Sequence, residues 1–152
     1  MNKVDNVLLD SVTQELPLLF PLMEGKILRA GFKVVEREKH IAPHHLMILK
    51  LVRDAGPLAV SEIGGWHHIP RPQMTYLIER LVELGLVERR PDDKDRRVIN
   101  VALTQKGRVT LEECMDLIKE SARKRLSSLS DEDLRQLAAA LKWVREIISR
   151  VE

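Results

Sequence analysis

Hydrophobic residues along this chain recur mostly at helical spacing, and one stretch breaks to a shorter period. Between Leu18 and about Glu38 the apolar positions are Leu19, Leu22, Met23, Ile27, Ala30, Val34 and Val35, which predicts a first long helix. Pro17 and Pro21 stand at its entrance. Each removes an amide donor and disfavours helix just before it, so the residues ahead are expected to form an irregular or separately helical arm. A second helix opens at Pro43, turns Leu46, Ile48, Leu49 and Val52 inward, and stops at Gly56-Pro57. The following "PLAV" is too short for more than an edge strand. Ser61 is expected to cap a short helix over "EIGGWHH", and after Ile69 the run "PRPQMTYLIERLVELG" places Met74, Leu77, Ile78, Leu81, Val82 and Leu84 on one stripe. That helix should end in a left-handed cap at Gly85.

The period then changes. Leu86 and Val87 lead into the charged "PDDKDRR", and Val98, Ile99, Val101 and Leu103 return as a β-branched, partly alternating strand, which together read as a two-stranded ribbon with a charged tip. Helical spacing resumes after Thr104, a candidate cap, through Met115, Ile118, Ala122 and Leu126. Ser130 with Asp133 resembles a capping box for a last helix, along which Leu134, Leu137, Ala138, Leu141, Val144, Ile148 and Val151 form a sustained apolar stripe. Two C-terminal helices with such faces need a partner surface, and a second copy of the chain is expected to supply it. The fold class is therefore mainly α with a small β-wing.

The chain has 152 residues, 44% hydrophobic and 32% charged, which suits one domain with a real core. No apolar run approaches the roughly 20 residues that span a bilayer. The start "MNKVDNVLLDSV" lacks the order of a secretory peptide, so no membrane association and a cytoplasmic location are expected. A net charge of +2 says little by itself. Its distribution says more, since Arg89, Arg90, Lys94, Arg96, Arg97, Lys106 and Arg108 outweigh Glu88, Asp92, Asp93 and Asp95 between Glu88 and Arg108. With aromatics at 3%, a surface that stacks single-stranded bases is not expected.

Short helix, turn, second helix and basic ribbon is an order suited to duplex DNA, because a helix fits the major groove while a ribbon tip reaches the neighbouring minor groove or backbone. Arg71, Gln73, Thr75 and Tyr76 lie near the start of the second helix, off its apolar stripe, where they can meet base edges and phosphates; Arg80 lies further on and suits phosphate. Lys94, Arg96 and Arg97 are candidates at the ribbon tip.

The continuous segment "TYLIERLVELGLVERRPDDKDRRVINVALTQKG" resembles the multiple-antibiotic-resistance regulator (MarR) family: the end of its recognition helix, its Gly-Leu-Val turn into the wing, its Asp-Arg-Arg tip and its Leu-Thr-x-x-Gly start of the next helix. The resemblance in element order runs from about Leu18 to Val151 and implies a winged helix-turn-helix over residues 43–103, with residues 1–42 and 104–152 as N- and C-terminal dimerisation helices of a single chain. It implies a homodimeric repressor on a palindromic operator. It also implies that Arg97 enters the minor groove, steadied by Asp95 two residues earlier, and that a small aromatic or phenolic effector binds between dimer helices and winged domain, with His44, His45 and Trp66 as candidate lining residues. The chain departs from the family pattern at the recognition-helix cap, where Pro70 and Pro72 stand in place of a small polar residue.

The remaining chemistry is thinner. His40, His44, His45, His67 and His68 fall within one third of the chain and motivate an alternative, a metal-responsive or protein-interaction module. Adjacent histidines on a helix point about a hundred degrees apart, and no Cys-x-x-Cys or His-Glu-x-x-His accompanies them, so no metal or other cofactor is expected. Cys114, the single cysteine, is expected to be a packed, inert thiol, and Trp66 and Trp143 to be packing residues. No nucleophile motif or glycine-rich phosphate loop occurs, so no catalysis is expected.

Overall fold

The computed structural model describes residues 5–67, 69–92 and 94–151, and among them helices dominate. They are α1 (Asn6–Met23), a π-helical turn (Glu24–Leu28), α2 (Arg29–Lys39), α3 (Pro43–Ala55), α4 (Val60–His67), α5 (Arg71–Glu83), α6 (Gln105–Leu126) and α7 (Asp131–Ile148). Three strands, β1 (Leu58–Ala59), β2 (Val87–Pro91) and β3 (Ile99–Leu103), form an antiparallel sheet in the order β1-β3-β2. The chain divides into two compact units, Gly31–Lys119 and the pair Met1–Ala30 with Glu120–Glu152.

The first unit holds the hydrophobic core. Ile48, Leu49 and Val52 of α3, Ile63 of α4, and Met74, Ile78 and Leu81 of α5 are buried with Val87 and Val101 of the ribbon. Burying each such side chain contributes roughly 1.5–3 kcal/mol. This core extends beyond residues 43–103, because Val35 of α2 and Leu111, Cys114 and Ile118 of α6 are buried in it too. β1 pairs Leu58 with Val101 and Ala59 with Asn100, the short edge strand that its length predicts. In β3, the central strand, Val101, Ala102 and Leu103 are buried consecutively, so both faces are covered there and the return strand does not alternate. On α5 the buried stripe is narrower than its periodicity suggests, since Val82 is 37% exposed.

In the other unit, α1 begins well before Pro17, and the arm expected to be irregular or separate is the first part of α1 itself. The Asp5 carboxylate caps it by accepting the Val7 amide at 2.9 Å. Pro17 and Pro21 lie four residues apart inside the helix, so their missing donors fall on one face. Thr13 and Pro17, whose carbonyls lose those donors, are exposed, where water can hydrate the orphaned groups. Just after Pro21 the Glu24 amide is shared between the Phe20 and Pro21 carbonyls, and the ladder then loosens into the π-helical turn, where the Arg29 amide reaches back five residues to the Glu24 carbonyl. No residue of α1 or α7 is buried. Among the described residues no helix is long and apolar enough to cross a membrane.

Candidate nucleic-acid interface

The elements from α4 to β3 position the sequence-predicted site residues. Ser61 is not the cap of α4, which starts one residue earlier; the Glu62 carboxylate accepts the Ala59 amide at 2.7 Å, the reciprocal half of a capping box. α5 opens with Pro70 as its extended N-cap (φ −54°, ψ 139°), so Arg71 and Pro72 occupy the first two helical positions. Proline is tolerated there because first-turn amides have no intrahelical acceptor. The Met74 amide closes the first turn on the Pro70 carbonyl at 3.0 Å. The unusual Pro-Arg-Pro entry thus preserves the helix but provides no side-chain cap.

Beyond that entry, α5 turns Met74, Leu77, Ile78 and Leu81 into the core and leaves Gln73 and Tyr76 exposed, Tyr76 by 68%. Thr75 and Arg80 are half-buried. The Arg80 guanidinium holds the Glu83 carboxylate at 3.1 Å, and Arg89 of β2 approaches Glu79 at 3.8 Å. Arg90 pairs with Glu88 on its own strand. His68, and the side chains of Trp66, His67 and Arg71, lie outside the described residues.

The wing tip is built on a residue that the sequence reading passed over. One Asp92 carboxylate oxygen accepts the amides of Lys94 (2.8 Å) and Asp95 (3.0 Å), while the other accepts the Asn100 side-chain amide at 2.8 Å. These bonds, that from the Asp95 amide foremost, hold the Asp92 carboxyl below the usual carboxylate range. The clue was present in "PDDKD", since aspartate readily binds backbone amides two and three residues ahead. Asp95 then accepts the Arg97 amide at 3.0 Å and its Nε at 3.2 Å, which fixes the root of a guanidinium side chain that is 92% exposed. Lys94 and Arg96 are exposed beside it.

Behind the wing Thr104 caps α6 as its place in the sequence predicts, and it also ties α6 to the end of α5. The Thr104 hydroxyl points into the carbonyls of Gly85 (2.7 Å) and Leu86 (3.1 Å) and accepts the Gly107 amide at 2.9 Å, so it caps α6 while gripping the end of α5. Lys106 Nζ donates to the Leu84 carbonyl at 2.7 Å. Gly107 lies so close to Leu86 that a Cβ there would collide with the Leu86 carbonyl oxygen. Gly85 itself is left-handed (φ 69°), as its place after the helix predicts.

The described histidine side chains, His40, His44 and His45, belong to no metal-binding group. His45 is buried, its Nδ1 accepting the Ala42 amide at 3.2 Å at the start of α3, while His40 and His44 are exposed. Among the described residues no group of three His, Cys, Asp or Glu side chains could hold a metal ion, and the metal-responsive alternative is not favoured. Cys114 is fully buried, and burial pushes its thiol up.

A helix-turn-helix formed by α4 and α5 and followed by the β2–β3 hairpin is a winged helix-turn-helix. Residues 41–99 match the MarR family. The chain is similar to the HTH-type transcriptional repressor MdtR of Bacillus subtilis, with 29% identity over 91% of this chain and 85% of that protein. It is also similar to the HTH-type transcriptional regulator PecS of Dickeya dadantii, with 30% identity over 78% and 72% of the two chains. Among solved structures, wild-type MarR from E. coli in its apo form aligns with a TM-score of 0.72 at 25% identity, over 85% of this chain and 96% of that one. A mutant E. coli MarR complexed with operator DNA shares the fold, with a TM-score of 0.62 at 24% identity over 86% and 93%. The chain belongs to the MarR family of transcriptional regulators.

Proposed function

We propose that the chain is a homodimeric repressor, free of catalytic activity, that binds a palindromic operator in the cytoplasm. The observation that carries this reading is the pairing of an exposed polar face on α5 with a wing whose tip is hydrogen-bonded into one shape. Arg71, Gln73, Thr75 and Tyr76 read base edges in the major groove and Arg80 meets phosphate. Arg97, steadied by Asp95, enters the neighbouring minor groove, with Lys94 and Arg96 on the backbone beside it. The operator complex of the mutant E. coli MarR supports a DNA target for this fold.

Residues 1–42 and 104–152 supply the dimer surfaces, since α1 and α7 expose Leu8, Val12, Leu16, Phe20, Leu141 and Ile148. Dimerisation sets two recognition helices about one duplex turn apart, roughly 34 Å. Footprinting on the intergenic DNA beside the gene tests the reading. A protected pair of inverted half-sites is the expected result, and absence of protection at moderate salt overturns it.

We further infer a small aromatic or phenolic effector, which acts by favouring a spacing that does not fit DNA. His44, His45 and Trp66 remain the residues proposed for its site; of these, the exposed His44 offers a ring to a ligand directly and His45 supports it from the core. Unchanged operator affinity across a panel of phenolic acids removes that part.

A further inference from the structure

His45 is the one buried polar residue of the described core, 8% exposed, and its two ring nitrogens are treated unequally. Nδ1 accepts the Ala42 amide at 3.2 Å, which fixes the ring proton on Nε2. Nε2 is buried and has no hydrogen-bond partner among the described residues. A buried donor left this way is unusual enough to need a reason. The charged and titratable groups that act on the ring are Arg80 from α5 and His44 on its own helix, and both, after burial itself, hold it neutral. Arg80 belongs to the helix that the reading above places in the major groove.

We propose that His45 is an acid-sensitive latch between the start of α3 and the recognition helix: a proton taken up at Nδ1 releases the Ala42 amide, sets a positive charge against Arg80, and lowers affinity for DNA. The proposal rests on the DNA-binding reading for its output, but not for the latch itself. Its direction is diagnostic. Histidines that gain charge in acid should tighten a protein's hold on phosphates, so a loss of affinity on acidification runs against the general electrostatic trend. Stability has a matching sign. The folded chain resists protonation more than the unfolded one, so the contribution of this residue is complete above the ordinary histidine range and is lost as pH falls through that range.

The discriminating variant is His45→Gln. Glutamine at the third helical position can accept the same cap amide through its side-chain oxygen, as in a capping box, yet it does not titrate. Binding to duplex DNA from the region upstream of the gene is followed by fluorescence anisotropy between about pH 8 and pH 5.5, the window in which histidine changes charge. Because burial and Arg80 hold the ring neutral below the ordinary histidine range, the loss enters only toward the acid end of that window, and the wild type is expected to lose about twofold or more in affinity there. His45→Gln should bind like the wild type at the alkaline end and stay level, whereas His44→Gln, which removes one of the charges that hold the ring neutral, should keep the acid loss but move its onset to higher pH. An equal acid loss in wild type and His45→Gln overturns the latch. Absence of binding at every pH overturns the DNA reading instead, and the latch is then decided on the free wild-type protein by NMR. There, exchange of the Ala42 amide should accelerate in step with protonation of the His45 ring; protection that persists after the ring has titrated overturns the latch.

Discussion

At Gly107 an added methyl group meets backbone rather than a flexible side chain, so Gly107→Ala must part the end of α5 from the start of α6. A loss of about 2–3 kcal/mol in denaturant unfolding is expected, at the upper end for overpacking, and a wild-type midpoint contradicts the close approach. Arg97 and Asp95 make a paired test on the surface. Arg97→Ala should weaken operator and unrelated duplex alike by about tenfold and flatten the salt dependence, whereas Asp95→Asn should lose less, because it removes only the support for a guanidinium that is still present. The pairing of Asp95 with Arg97 was anticipated through the resemblance of the Asp-Arg-Arg tip to the MarR wing. Asp92 was legible only in its local bonds to the Lys94 and Asp95 amides, while its bond to Asn100, the close approach of Gly107 to Leu86 and the setting of the His45 ring beside Arg80 depend on partners that only the fold brings near.

At the level of elements, α3, α5 and α7 were legible because their apolar stripes and end signals agree, Pro43 opening α3 and Gly85 closing α5. α1 was not, because the local cost of proline argued against a helix that the chain nonetheless forms. Its prolines lie on exposed turns and Asp5 restores one orphan amide at the start. Pro17→Ala should therefore restore a helical hydrogen bond and raise stability, by up to the roughly 3 kcal/mol that an interior proline costs, read as a higher denaturation midpoint with unchanged DNA affinity. No gain would mean that the gap at the Thr13 carbonyl is already fully compensated by water. On α5 the first-turn prolines leave base preference to side chains, so Gln73→Ala should relax sequence discrimination by roughly 1–3 kcal/mol at one position, measured across a library of operator variants.

For the whole molecule, α1 and α7 leave many large apolar side chains exposed, and in the proposed homodimer these are the faces that a second copy covers. Leu141→Asp combined with Val144→Asp should shift sedimentation from dimer toward monomer and cut operator affinity by more than about tenfold, since separate half-sites are held without the help of a linked partner. A double variant that stays dimeric assigns the interface to other faces. The apolar stripe of α7 and the packing of Cys114 were readable in the sequence, whereas the extent of the first unit was not: that Val35 of α2 and Leu111 of α6 are buried with α3, α4 and α5 follows only from the fold. The joint at Thr104 carries one more consequence, for the history of the wing rather than its binding. Its hydroxyl reaches Gly85 across 19 residues of chain, so the hairpin is a loop whose two ends are pinned independently of its tip. Loop-closure entropy rises so slowly that even a doubled loop costs only about 0.6 kcal/mol more. Insertions near Asp92 should thus leave the core undisturbed, and the wing is the place where this fold can change its reach by gaining or losing residues.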